Sequence, residues 1–230
     1  RILRREARLL GRTPHFVIYD SEDTRTLMQQ VMQEELNLRD RRRLFHSIAA
    51  ISRLKNELGD PEELDDSERA VYEGYERALE RNNAFDFDDL IEKVVRLFRR
   101  NPRILGRYER SFRHILVDEF QDVNTAQYEF VKLLARHHRN LTVVGDDAQS
   151  IYRFRGSDFR NFLNFDRDWP EAKVVKLEQN YRSTGTIVAA SSALISHNKL
   201  QKPKKLWTQN PKGEAVQIAS FHGTEEEAEW

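Results

Sequence analysis

Asp118 and Glu119 stand directly after Ile115-Leu116-Val117, a short, β-rich apolar run. A run of that kind reads as a buried strand. Open α/β sheets put their ligand sites at the carboxyl ends of strands. Two adjacent carboxylates there can divide the chemistry between them. Asp118 can hold a magnesium ion through its water shell, and Glu119 can orient or deprotonate an attacking water. The same residues also read as a plain strand with an acidic turn, and this segment alone leaves both open. Two further polar clusters follow apolar runs. They are Gly145-Asp146-Asp147-Ala148-Gln149-Ser150 and Glu178-Gln179-Asn180-Tyr181-Arg182-Ser183. In a parallel sheet all three would meet on one edge. Nucleoside triphosphate hydrolysis needs such a set: Gln149 as a polar sensor near the terminal phosphate, Arg182 as a cation for the transition state, Tyr181 as a platform for the base. Two plain readings stand beside these, a turn at Gly145-Asp146-Asp147 and a helix cap at Arg182.

The second cluster runs into Ile151-Tyr152-Arg153-Phe154-Arg155-Gly156-Ser157, where aromatics alternate with arginines. Exposed, Tyr152 and Phe154 would stack on bases while Arg155 met phosphate. Period two also permits a strand that buries the aromatics.

The elements that must position these residues change character along the chain. Residues 1–10 read as helix. Apolar residues at helical spacing predict helices over 24–36, 44–58 and 68–82. Gly59-Asp60-Pro61 breaks the second. Asp86 is placed to cap a helix over 87–98, which Asn101-Pro102 ends. From His114 strands alternate with helices: strands at 114–117, 141–144 and 173–177, helices at 125–137, 158–165 and 184–197. Such alternation implies a parallel sheet with right-handed crossovers. Short strands at 16–19 and 216–221 complete the reading. The expected fold is α/β, a parallel-sheet core carrying an all-helical insertion of about ninety residues. Asp86, Asp88 and Asp89 favour a helix start over a metal site.

Composition narrows the function classes. The 230 residues carry 38 Lys+Arg against 38 Asp+Glu, so nucleic-acid binding must rest on local clusters. No cysteine is present, which excludes a disulfide framework and thiolate metal sites. No apolar run approaches the roughly 18 residues of a membrane span, and nothing resembles a signal peptide.

Taken together, Val117-Asp118-Glu119-Phe120-Gln121-Asp122, Val144-Gly145-Asp146-Asp147-Ala148-Gln149-Ser150-Ile151-Tyr152-Arg153-Phe154-Arg155-Gly156 and Leu177-Glu178-Gln179-Asn180-Tyr181-Arg182-Ser183-Thr184 strongly resemble motifs II, III and IV of superfamily 1 DNA helicases of the UvrD/PcrA/Rep type. Phe85-Asp86-Phe87-Asp88-Asp89-Leu90 and Lys202-Pro203-Lys204-Lys205-Leu206-Trp207 add weaker matches. The resemblance implies a RecA-like motor core that uses ATP and Mg2+. Asp118 would orient the metal and Glu119 would be the catalytic carboxylate. Gln149 would contact the γ-phosphate and couple it to DNA. Tyr181 would stack on adenine, and Arg182 would be an arginine finger. Tyr152, Phe154 and Arg155 would line the single-strand track, with Phe154 where the family often has Trp. Residues 1–19 would end the first part of domain 1A, 20–108 would be the helical domain 1B, 109–177 the second part of 1A, and 178–230 motif IV and the start of 2A.

The implied activity is ATP-driven 3′ to 5′ movement on single-stranded DNA and single/double-strand junctions, in cytoplasmic repair or replication. The family's Gly-x-x-x-x-Gly-Lys-Ser/Thr phosphate loop is absent from this sequence. Arg1 also opens in a helical pattern. The expectation is therefore an internal fragment, inactive in isolation. Two other expectations stand beside it: the motor subunit of a recombination helicase–nuclease complex, and a non-catalytic piece that binds DNA or a protein partner.

Overall fold

A computed structural model describes residues 1–34, 36–37, 40–151, 156–158 and 160–230. The chain divides into two compact units, Arg1–Phe162 and Leu163–Trp230. It is a mixed helix/strand protein whose paired strands run parallel.

The first unit holds α1 (Ile2–Glu6), β1 (Val17–Tyr19), α2 (Ser21–Glu34), α3 (Arg41–Glu57), α4 (Asp66–Arg81), β2 (Ala84–Asp86), α5 (Asp89–Arg100), α6 (Pro102–Ser111), β3 (Ile115–Val117), α7 (Thr125–Ala135) and β4 (Leu141–Val143). β1 pairs with β2, and β3 with β4 in the register Ile115↔Leu141, Val117↔Val143. Capping side chains start the long helices. Asp40 accepts from the amides of Arg42 and Arg43, and Asp65 from those of Ser67 and Glu68. Asn124 and Gln127 form a reciprocal capping box on α7.

Two apolar cores fill this unit. One joins α2, α3 and α4 through Met28, Val31, Met32, Ile51, Val71, Tyr75 and Leu79. The other joins Leu3 and Ala7, Phe16, Phe85, Val94 and Phe98 of α5, Leu105 and Tyr108 of α6, and Leu134 of α7.

Several expectations change. The block over 20–108 is not all helical, because β2 lies inside it and pairs with β1. Asp86 sits in that strand and does not cap a helix over 87–98. α5 starts at Asp89 with Asp88 at the cap position. Asp86 Oδ1 instead accepts the Asp89 amide at 2.8 Å, and Asp89 Oδ2 accepts the Asp86 amide at 3.1 Å. Pro102 ends α5 and also opens α6, because its missing N–H and fixed φ suit a first helical position.

Helix α8 (Arg160–Leu163) crosses the division, and the second unit then holds α9 (Phe165–Asp168), α10 (Gly185–Ile195) and α11 (Thr224–Glu229). The strand expected over 173–177 is absent, and so is the one over 216–221. The residue types suit a strand, but a strand exists only with a ladder partner. None pairs there among the described residues, and Leu177 is 79% exposed. The only bridge described in this unit links Gln179 to Trp207.

No helix among the described residues is long and apolar enough to cross a membrane. A buried ionic network ties the helices to β2: Lys55 Nζ lies 2.8 Å from both Asp86 and Asp89 and 2.7 Å from Glu76. Lys93 joins Glu76 and Glu92, and Arg96 meets Glu92. Asp86 and Asp89 thus serve as a lysine socket. The described residues contain no acidic or histidine cluster fit for a metal.

Candidate ATPase site

β3 and β4 deliver the first two clusters to one sheet edge. The ladder continues past the strands, with the Val144 amide donating to Val117 O at 2.8 Å and the Phe120 amide to Val144 O at 2.9 Å. A 3-10 turn over Phe120–Asp122 then leads to α7. Phe120 anchors it, fully buried with its ring edge-on to Tyr128 at 5.4 Å. Asp118 and Glu119 stay exposed just before this anchor.

The turn forces Glu119 into the left-handed region, at φ 50 and ψ 41. A non-glycine residue there carries strain on the order of 1–3 kcal/mol. Its amide donates to Asp118 Oδ1 at 3.0 Å, which fixes the Asp118 side chain. Gln121, 1% exposed, donates from Nε2 to Glu119 Oε2 at 2.7 Å and to Asp122 Oδ2 at 3.4 Å. Its Oε1 accepts the Asp146 amide at 3.0 Å, and its carbonyl accepts from Ser150 Oγ at 3.3 Å. One buried amide therefore joins the two strand-end loops.

The second loop turns through a short 3-10 helix, Asp147–Gln149, capped by Asp146. Gln149 is exposed, and its Nε2 donates to Asp146 Oδ2 at 2.9 Å. Gly145 is required by packing: a Cβ there would lie 2.7 Å from Gln121 Oε1 and 3.0 Å from Phe162 Cε2. Gly145→Ala is expected to destabilise the fold by about 1–3 kcal/mol, the usual cost of overpacking. Thermal unfolding checks this, and an unchanged Tm would contradict the close approach.

The third cluster lies in the second unit. The Asn180 amide donates to Trp207 O at 2.7 Å. Asn180 Oδ1 accepts the amides of Arg182 and Ser183 at 3.0 and 2.7 Å. This Asx-type turn presents Arg182 and Tyr181 as exposed side chains ahead of α10. Tyr181 Oη donates to Gln179 Oε1 at 2.9 Å. The expected convergence is thus borne out for the first two clusters, which flank each other. The third follows no strand. Tyr152, Phe154 and Arg155 lie outside the described residues.

Residues 1–170 match the UvrD/REP helicase N-terminal domain, and residues 175–230 match the UvrD-like helicase C-terminal domain. The chain belongs to the UvrD/REP helicase family. Across its full length it is 46% identical to the ATP-dependent DNA helicase PcrA of Staphylococcus epidermidis and 45% identical to that of Staphylococcus aureus. It spans about a third of the length of these relatives. The run that resembles the family's second motif includes the strained turn at Glu119, and the run that resembles its third includes the loop that carries Gln149. Sequence reasoning gave Gln121 and Gly145 no role of their own. A glutamine among acids carries no periodic signal, and its contacts to the Asp146 amide and to Ser150 exist only once β3 and β4 are side by side.

Proposed function

We propose that this chain is part of the motor of an ATP-dependent DNA helicase that moves 3′ to 5′ along single-stranded DNA in repair or replication. The observation that carries the reading is the joined pair of strand-end loops, with Asp118 and Glu119 on one and Gln149 on the other. Asp118 suits magnesium: it is exposed, oriented by a bond to its neighbour's amide, and a hard oxygen donor. When bound with ATP, magnesium would supply neutralisation of phosphate charge. Glu119 would orient and accept a proton from the attacking water. Gln149 would meet the γ-phosphate and relay its state to a DNA track formed by Tyr152, Phe154 and Arg155. Tyr181 would stack on adenine, and Arg182 would stabilise transition-state charge.

In domain terms, α1, β1, β2 and α5–α7 with β3 and β4 would belong to a RecA-like domain 1A. The separate core of α2–α4 favours these helices as the inserted domain 1B. Residues from 178 onward would open domain 2A.

The test uses a full-length helicase carrying this chain. Single-stranded DNA is expected to raise its ATP turnover, chelation of magnesium to stop it, and re-addition to restore it. Turnover indifferent to DNA, or surviving chelation, would overturn the reading.

A further inference from the structure

We infer that Gln121 is a positioning residue that couples the Gln149 loop to the Glu119 carboxylate, an inference that rests on the catalytic role proposed for Glu119. Four contacts carry it, and they point in two directions. Toward the acid, Nε2 donates to Glu119 Oε2 at 2.7 Å, with a longer bond to Asp122. Toward the sensor loop, Oε1 accepts the Asp146 amide at 3.0 Å, and the carbonyl accepts from Ser150 Oγ. Asp146 and Ser150 flank the turn that carries Gln149, and the Asp146 carboxylate also holds the Ala148 amide and the Gln149 side chain. A shift of that turn therefore pulls on Gln121 Oε1, and Gln121 Nε2 transmits the pull to Glu119.

The chemistry at this position is restrictive. The side chain must donate at one end and accept at the other while buried. Among side chains of this length only a primary amide does both without a charge. Glutamate would set a second carboxylate against Glu119. Methionine has the length but neither bond. Asparagine is one methylene too short to span from Glu119 to the Asp146 amide. The Gly145 contact adds rigidity, since its missing Cβ is what lets Oε1 approach the loop. Burial keeps water from replacing either bond. Glu119 itself sits in a strained backbone conformation, so its carboxylate direction is set by the turn and by this one side-chain bond.

The experiment compares Gln121→Glu, Gln121→Met and Glu119→Gln in a full-length helicase carrying this chain. ATP turnover and KM for ATP are measured with and without single-stranded DNA. Gln121→Met is expected to lower kcat about 10–100-fold with KM for ATP within about threefold, and to reduce the factor by which DNA stimulates turnover. Gln121→Glu keeps the length but replaces the donor toward Glu119 with an acceptor, and is expected to lower kcat and the stimulation factor in the same way. Should the methionine variant fail to fold, the glutamate variant decides by its kcat and stimulation factor. Folded variants keeping the wild-type kcat and stimulation factor, while Glu119→Gln loses turnover, would overturn the coupling. A loss of kcat with an unchanged stimulation factor would do the same. Turnover retained by Glu119→Gln would instead remove the role of Glu119 beneath it.

Discussion

Glu119→Gln is expected to lower ATP turnover about 10²–10⁴-fold, the usual contribution of a positioned general base, while ATP binding stays within about threefold. The substitution isolates charge from geometry. Gln121 donates to Glu119 Oε2 in the present structure, and an amide oxygen at the same place still accepts that bond, without the charge. The turn, its left-handed residue and its buried Phe120 anchor are left as they are. What disappears is the acceptor for a proton from water. Nucleotide affinity measured by equilibrium titration, beside steady-state turnover with single-stranded DNA, separates the two effects. Turnover within tenfold of wild type would sink the role proposed for Glu119. A parallel fall in affinity would assign it to nucleotide binding instead.

Lys55→Met is the second large effect, and it falls on stability. Lys55 is fully buried against Glu76, Asp86 and Asp89. Counting Glu92, Lys93 and Arg96, the network sets four carboxylates against three cations, and removing Lys55 leaves two cations. Losing one partner of a buried pair costs about 3–5 kcal/mol. For a domain of this size that is a Tm drop on the order of 10 °C.

The pH dependence gives a sharper signature. Burial raises the Glu76 carboxyl, but Lys55 and Lys93 outweigh it and hold it down at about 2 against an ordinary 4.5. A depressed carboxylate stabilises the fold above its unfolded value, so the Glu76 contribution to wild-type stability is lost as pH drops from about 4.5 to about 2. Burial holds the Asp89 carboxyl above its ordinary value even with Lys55 in contact. Without Lys55 both acids would be pushed up and would take protons more readily, which relieves the variant in acid. The gap between wild type and Lys55→Met is therefore expected to narrow on acidification. Asp89→Asn added to Lys55→Met should recover part of the loss. A constant gap across pH would show that the cost is packing alone.

Lys55 also marks where the sequence was readable and where it was not. Its helix was visible from Ile48, Ile51 and Leu54, and Lys55 stands four residues after Ile51, on the edge of that apolar face. The position hints at burial, but the partners come from α4, from the first residue of α5 and from Asp86, a strand residue whose type and place suggest a helix cap. The β3 and β4 runs were legible because a short β-rich segment ending in acid or glycine has few other readings. The same logic fails at 173–177, where Val174, Val175 and Leu177 have strand character but no ladder partner among the described residues. α6 was hidden because proline stops one helix and starts another, and local sequence does not say which function it serves at Asn101-Pro102. At the candidate site, the exposed charged residues could be named one by one. Gln121 and Gly145 could not, since their importance lies in a close approach between two loops separated by a whole helix.

The left-handed backbone at Glu119 sets durability against chemistry. Glycine adopts that conformation freely and asparagine does so at small cost, so either would relax the turn. The backbone at position 119 would thus relax by giving up its carboxylate, set against the loss of the Gln121 bond. A survey of thermally hardened variants should treat a gain at 119 as a warning that turnover has been traded away.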